Sequence, residues 1–430
     1  MRDPKAPLNQ IAVSAYAAET AVNTEQTLDL SLLAQQSDII QPEFRRESNA
    51  DEMTGKEEPD TIYDMGKTVA GALTFPKAQP QHFAFLCAYG LGAISSAAAG
   101  ASGYQHTITP IDGDVDASRG LPCFTAAQRY GETIFKERFA SMFVNSVTAR
   151  FARDAWVEIN AQIMGTGKTT VSITEESITE ADDSTSLTLA ANAVAGGAGA
   201  GNAAARLDSI HSIRVELTED VWTDVAFSAV SDATPAVITI TAPGVSGSDF
   251  TYKVLYAAAE TAWMTFPARV SQTPLRVSET TLNIGGTWNG TTFAGGSEMG
   301  CEVNSIEWNL NNNGQIEFCF GTDGAYASRY YREGRTQTIA LDHELRDYIV
   351  RNYIDQNSTF GVYILAQGDE YEAGHNYQVE LIFPKVAVLS APISANGKRL
   401  AEAGDLIVLE DDTYGSVIVK VKDLVENYAA

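Results

Sequence analysis

The chain has 430 residues, length for two or three compact units, and 44% hydrophobic residues, which excludes a disordered chain. Its 55 acidic and 29 basic residues give a net charge of −26, which argues against a grip on nucleic acid through basic stripes and fits a solvated surface, or one that repels a polyanion. Cys87, Cys123, Cys301 and Cys319 are scattered without a CxxC pair and read as reduced thiols; the polar N-terminus shows no signal-peptide pattern, and no run reaches the roughly 18 apolar residues of a membrane helix.

Residues 1–42 read as a mostly polar arm, in which the alternation of Ile11, Val13, Ala15 and Ala17 allows a short strand. Residues 43–64, with eight acids and three bases, read as a charged loop. A strand is expected over 68–75. Pro80 then suits the first turn of a helix over 81–91, with Phe83, Leu86 and Cys87 on its apolar side and Gly90 and Gly92 at its end. A strand over 104–109, closed by Pro110, leads to an acidic turn with Asp112, Asp114 and Asp116.

Residues 143–164 then carry a two-residue alternation that reads as a β-hairpin. After it, 175–186 holds five acids and no base, and the Ala/Gly run 190–205 reads as a flexible or tightly packed linker. Strands over 213–217, 221–230, 236–241 and 252–256 make a compact β unit of 207–266, in which Trp222 and Trp263 can each anchor a small core.

A second hairpin is expected at 302–320. Ile306, Trp308 and Leu310 point one way, Ser305, Glu307 and Asn309 the other, and Ile316, Phe318 and Phe320 resume the alternation after an Asn-Gly turn. The two hairpins match without a gap. Val-Asn-Ser at 144–146 recurs at 303–305, an offset of 159 that sets Ala149 on Trp308, Phe151 on Leu310, Glu158 on Glu317 and Ile159 on Phe318. The clearest helical spacing follows over 341–354, with Leu341, Leu345, Tyr348, Ile349 and Tyr353 on one side, Asp342 as N-cap and Glu344 in the first turn. Strands over 360–366, 377–383, 385–389, 406–409 and 416–421 complete the chain, with turns at 395–398 and 411–415.

Strings that imitate catalytic motifs fail on inspection. Gly165-Thr-Gly-Lys-Thr-Thr170 resembles the end of a phosphate-binding loop, but position 162 is Gln where Gly is required, and β-rich sequence follows instead of a helix. His343-Glu344 lacks a second His on its face, and the five histidines show no ligand spacing. Gly197-Ala-Gly-Ala-Gly201 lacks the dinucleotide spacing, no Gly-x-Ser-x-Gly elbow occurs, and acid pairs such as Asp411/Asp412 sit in polar turns. No catalytic residue, cofactor or metal is therefore expected. Tyr326, Tyr330 and Tyr331 with Arg329, Arg332 and Arg335 read first as an inter-subunit contact, with plain core and ligand binding as alternatives.

Three stretches together resemble the bacteriophage tail tube (major tail) proteins: 66–109, the pair of Val-Asn-Ser hairpins, and the C-terminal run from Leu341 through Phe383-Pro384 to Asp411-Asp-Thr-Tyr-Gly415. The resemblance implies a mainly β, α+β fold: a β-sandwich with a flanking helix, whose long hairpins join those of other subunits in one β-barrel. It divides the chain into an N-terminal arm with a first tube segment (1–174), an inserted β-rich region (175–285) and a second tube segment (286–430). It further implies stacked, hexameric or pseudo-hexameric rings of the chain itself in a phage virion assembled in the bacterial cytoplasm. A tape-measure protein would fill the lumen, terminator and tail-tip or baseplate proteins would cap the tube, and DNA would pass without specific binding. An acidic lumen would repel DNA, and Glu158 and Glu317 on the polar hairpin faces are the candidates to line it. Two hairpins per chain allow six chains per ring, towards which this reading leans, or three with a duplicated domain. A β-rich receptor- or carbohydrate-binding tail fibre or adhesin is the competing reading.

Overall fold

The structure is a computed structural model that describes residues 5–111, 120–131, 135–181, 184–190, 192–245, 249–270, 272–321, 324–345, 348–396 and 399–429. The acidic turn expected around Asp112, Asp114 and Asp116 lies outside the described residues. The fold is mainly β with a few short helices, the α+β class expected. The chain divides into a larger compact unit (Val13–Ala126, Phe139–Lys168, Ala268–Ala430) and a smaller one (Met1–Ala12, Ala127–Arg138, Thr169–Pro267).

The first elements are β1 (Gln10–Val13), β2 (Leu30–Leu32), β3 (Gln41–Ser48), β4 (Ile62–Phe75), α1 (Pro80–Leu91), β5 (Gly92–Ala99), β6 (Gly103–Pro110), β7 (Phe124–Tyr130), β8 (Phe135–Ala152) and β9 (Glu158–Gly165). Residues 43–64 are only partly the expected charged loop: β3 and β4 pair from Gln41↔Ala70 to Ser48↔Ile62, and residues 49–61 form the acidic loop between them. Pro80 opens α1, the Gln79 amide donates to Nδ1 of His82 at 3.2 Å, and Gly92 ends it at φ 98°. Every residue of α1 is buried, so it is wrapped by the core, not one-sided. Residues 143–164 form the hairpin expected of them, β8 pairing with β9 from Met142↔Gly165 to Arg150↔Glu158.

The smaller unit holds β10 (Thr169–Val171), β11 (Ile173–Glu180), β12 (Ser186–Thr188), α2 (Ala203–Ser209), β13 (Ile210–Thr218), β14 (Val221–Asp224), β15 (Phe227–Val230), β16 (Val237–Ile240) and β17 (Phe250–Ala257). One sheet runs β11-β17-β13-β14 and another β12-β16-β15. Their shared core holds Ile213, Val215, Ile238, Tyr252, Val254 and Tyr256. Trp222 and Trp263 are not its anchors; both are half-buried beneath cations, Lys253 over Trp222 at 4.6 Å and Arg138 over Trp263 at 5.2 Å. The Ala/Gly run packs tightly: a Cβ on Gly196 would stand 2.6 Å from the Arg206 amide nitrogen, while the buried Arg206 donates to the carbonyls of Gly197, Gly199 and Val230.

The last elements are β18 (Thr280–Trp288), β19 (Phe293–Met299), β20 (Val303–Asn311), β21 (Gly314–Glu317), β22 (Arg329–Arg332), β23 (Thr336–Glu344), α3 (Ile349–Asp355), β24 (Phe360–Glu372), β25 (His375–Ser390), β26 (Ile393–Asn396), β27 (Arg399–Val408) and β28 (Ile418–Asp423). Two expectations are corrected here. The stretch 302–320 does not fold back on itself: β20 pairs with β8 and β23, and β21 pairs with β22. Asn312 is the cause, because it is fully buried and its side-chain amide donates to the carbonyls of Gly90 and Val144. That anchor prevents a tight turn, so the strand continues into β21, and Phe318 and Phe320 are not on the dry face. The helix expected over 341–354 is shorter, spanning only 349–355. Gln337, Ile339, Leu341 and His343 alternate as the buried face of β23, and burial in the sheet overrides the helical spacing of Leu341 and Leu345.

The chain's two halves repeat one order of elements. β1-β2, β3-β4, α1, β7, β8 and β9 correspond to β18-β19, β20-β23, α3, β24, β25-β26 and β27, with β5-β6 added in the first half and β21-β22 and β28 in the second. The registers agree residue by residue. Pro42↔Val69 matches Leu310↔Gln337, both members shifted by 268; Leu73↔Ala161 matches Leu341↔Gly404; Ala149↔Ile159 matches Ile393↔Glu402. In the larger unit these strands form one antiparallel layer, β3-β4-β9-β8-β20-β23-β27-β26, four strands from each half.

Candidate assembly surface

One face of this layer is dry. Val69, Leu73, Phe75, Ile159, Val147, Ala149, Trp308, Leu310, Ile339 and Leu341 are buried on it. The alternation that buries them turns Thr74, Asn160, Thr148, Asn309 and Thr338 to the opposite face, a row of small polar groups across five strands. Thr148 donates to Asn309 at 2.7 Å within that row. The next row holds Glu158, Arg150, Glu307, Ala340 and Asp405, with Arg150 4.0 Å from Glu307. Asp342 stands on the same face, and at the end of β23 Glu344 binds Arg399 at 2.7 Å and Arg153 at 3.5 Å. The side is polar, with a row of uncharged groups beside charged positions in which acids outnumber bases.

The layer does not close on itself: among the described residues β3 pairs only with β4 and β26 only with β27. Both borders are exposed and carry apolar side chains, on β3 among the charges of Glu43, Arg45, Arg46 and Glu47. Phe44 is 58% exposed on β3, and Leu389 and Ile393 are 63% and 38% exposed along β25-β26. Single exposed apolar residues are ordinary, but unpaired strand edges carrying them are templates for another chain.

Two long hairpin ends extend from the layer, β3-β4 and β21-β22. An open groove of about 1280 Å³ is lined by Phe44, Arg45, Met65, Phe318 and Phe320. The Arg45 guanidinium lies 4.7 Å from the Phe318 ring, and Phe320 is fully exposed.

Of the residues singled out in the sequence, Glu158 lies on the polar face opposite Arg150. Glu317 is not its counterpart; it lies on β21, outside the eight-stranded layer, 4.0 Å from Arg329. Arg329 is exposed and Tyr326 half-buried in a bridge to Lys67. Tyr330 is buried, stacked on Phe143 with ring centroids 4.0 Å apart, and Arg332 and Arg335 both donate to the Ile111 carbonyl. These last three hold their own chain together. Pro42 and the charges around it mark β3 as an edge strand, whereas Phe44, Leu389 and Ile393 carry no signal of a border role by themselves.

The arrangement nearest to a catalytic relay is Ser96, His106 and Asp423. The Ser96 hydroxyl is 2.8 Å from Nδ1 of His106, whose Nε2 is 3.1 Å from Asp423 and 3.0 Å from the Val425 carbonyl. His106 and Asp423 are fully buried, and Asp423 also accepts from the Val425 amide and the Tyr428 hydroxyl. The network pins the C-terminal segment to β6. Lys168, the lysine of the phosphate-loop look-alike, reaches the Asn23 carbonyl and Glu25, and strand β10 follows it. Among the described residues no group of three His, Cys, Asp or Glu side chains is arranged for a metal ion, and no helix is long and apolar enough to cross a membrane. The chain matches no protein-family model and no curated protein.

Proposed function

We propose that the chain is a structural subunit that assembles with copies of itself into stacked rings forming a phage tail tube. The observation that carries this reading is the eight-stranded layer with one dry face, one small polar face and two unpaired edges. A layer of this kind is completed by more of itself, since closure removes the exposed edges and leaves the polar face to water. Two four-stranded repeats per chain favour three chains in a six-repeat ring over the six single-domain chains towards which the sequence leans. A wall of about 24 strands, spaced about 4.8 Å and tilted as barrel strands are, encloses a bore of roughly 40 Å.

The role of this lumen is passage. Small uncharged polar groups and a slight acidic excess offer a polyanion no grip, so DNA would slide through without specific binding. The tape-measure protein before ejection, and terminator and tip proteins at the tube ends, are the partners this role entails. The hairpin end with Phe318 and Phe320 suits contact between rings. The chain's work is assembly, not catalysis, and its place is the virion.

Negative-stain microscopy of the purified chain tests the reading. Rings or tubes are expected, with three-fold or pseudo-six-fold end-on views. A monodisperse monomer that retains glycans on an array would replace it with the adhesin reading.

A further inference from the structure

We infer that the β25-β26 border of one chain joins the β3 border of the next, in the register that β8 and β20 hold inside a single chain. The inference rests on the ring-forming reading and names its contact. The chain already contains one junction between its first and second repeats: β8, the last strand of the first four, pairs with β20, the first of the second four, through Ala149↔Trp308, Thr148↔Asn309, Val147↔Leu310 and Ser146↔Asn311. The free borders are the counterparts of those two strands. Residues of β8 and β9 map onto β25-β26 and β27 through Phe143↔Met164 and Ala387↔Ile407, and Ala149↔Ile159 and Ile393↔Glu402. Residues leading into and through β3 map onto β20 and its extension through Pro42↔Val69 and Leu310↔Gln337.

Applying the internal register to the free borders sets Ser390 opposite Glu43, Ala391 opposite Pro42 and Pro392 opposite Gln41. One step further, the internal junction continues where the Asn312 amide donates to the Asn145 carbonyl at 2.8 Å. Asn145 corresponds to Leu389, and Asn312 to Phe44. The same operation therefore brings together two exposed apolar side chains on opposite borders, Leu389 at 63% and Phe44 at 58% exposure. Their agreement in position was not used to build the alignment, which rests on backbone pairing alone. A head-to-tail contact of this kind is heterologous, and repeated with a rotation that returns to the start it closes a ring.

Leu389 and Phe44 of one chain lie at opposite borders of an eight-stranded layer, roughly 34 Å apart at about 4.8 Å per strand, so a bond between them must join two chains. The test is a chain with Phe44→Cys and Leu389→Cys, with the exposed native thiols removed as Cys301→Ser and Cys319→Ser. Directly opposed strand positions fit a disulfide. Mild oxidation is expected to give a denaturing-gel ladder of the 46.1 kDa chain that ends at three copies. Glu43→Cys with Ser390→Cys should give the same ladder, while Phe44→Cys with Val388→Cys, out of phase by one residue, should not. Rings or tubes that form without these cross-links overturn the junction and leave the tube reading standing. A ladder that continues to six copies overturns the three-copy closure. Closed trimers that never stack keep the junction and overturn the tube, and a chain that stays monomeric overturns both.

Discussion

Ala149 and Trp308 face each other across the β8-β20 pair, both with no exposed surface, at the centre of the eight-stranded layer. Ala149 is small where Trp308 is large, and the indole N–H donates to the Gln337 side chain at 3.1 Å. This contact seals the two repeats into one sheet. Trp308→Ala removes a large buried ring and leaves Gln337 without its donor, so a loss of about 3–5 kcal/mol is expected in urea unfolding. Ala149→Leu overfills the same space and should cost about 1–3 kcal/mol. A near-neutral result for both would show that the repeats do not pack here.

The repeat supplies its own control for a buried polar pair. Phe75↔Ile159 in the first half occupies the register of His343↔Glu402 in the second. Both members of the latter pair are buried, with His343 Nε2 3.3 Å from Glu402, and Arg351 of α3 reaches the same carboxylate at 3.5 Å. Removing one partner leaves a charge or an unmet donor in the core, so Glu402→Ile alone should cost about 3–5 kcal/mol. Adding His343→Phe restores the first half's apolar pair, and the double variant should recover most of that loss. Denaturant midpoints of the two singles and the double form the cycle, and additive losses would contradict the repeat equivalence.

Asp29 gives the fold a pH signature. Its carboxylate accepts from the amides of Ala15 and Tyr16 at 2.7 and 3.1 Å, yet burial outweighs these bonds and pushes its pKa up to about 6 from 3.8. A carboxyl whose folded pKa is raised binds protons more tightly folded than unfolded. Its contribution is therefore fully present below about pH 4 and is lost as pH rises through about 6. Carboxylates held low, such as Glu344 beside Arg399, act in the opposite sense at lower pH. The measurement that isolates Asp29 is the difference between the native chain and Asp29→Asn. The gap should shift in favour of the variant between pH 4 and 7, and a constant gap would show that Asp29 titrates as an exposed acid.

Much of the architecture is legible in the sequence wherever alternation meets a clear turn. Strands β13, β16 and β17 of the smaller unit, the 143–164 hairpin, α1 and most C-terminal strands follow from period and punctuation alone, whereas β11 and β12 of that unit lie in stretches read as acidic or unstructured. The reading fails where partners are distant. The match of Val-Asn-Ser at 144–146 and 303–305 is real in the chain, but it joins two strands that lie side by side, not two equivalent hairpins. The true counterparts, such as Leu73 and Leu341, share a place in the sheet and little local sequence. Leu341 and Leu345 fit a helix as well as a strand, and only burial of Ile339, Leu341 and His343 decides between them. For the assembly surface, Glu158 was placed on a polar strand face by alternation. Leu389 and Phe44 were invisible, since their significance lies in strands that have no neighbour.

The smaller unit's sandwich can be removed at a point the strand pairing defines. Ile173 and Ala257 are direct partners at the start of β11 and the end of β17, so the chain enters and leaves this β unit side by side. Its core, built on residues such as Ile213, Tyr252 and Tyr256, is its own. The eight-stranded layer takes no strand from residues 174–256. Replacing 174–256 by a short Gly/Ser linker should therefore leave a folded chain with its borders intact, because closing a gap between adjacent strands costs little chain entropy. Circular dichroism and chemical unfolding check the fold, and negative-stain microscopy checks assembly. Tubes of unchanged symmetry are expected, thinner if the segment decorates the outside. A folded deletion variant that no longer assembles would instead assign this segment to contacts within or between rings.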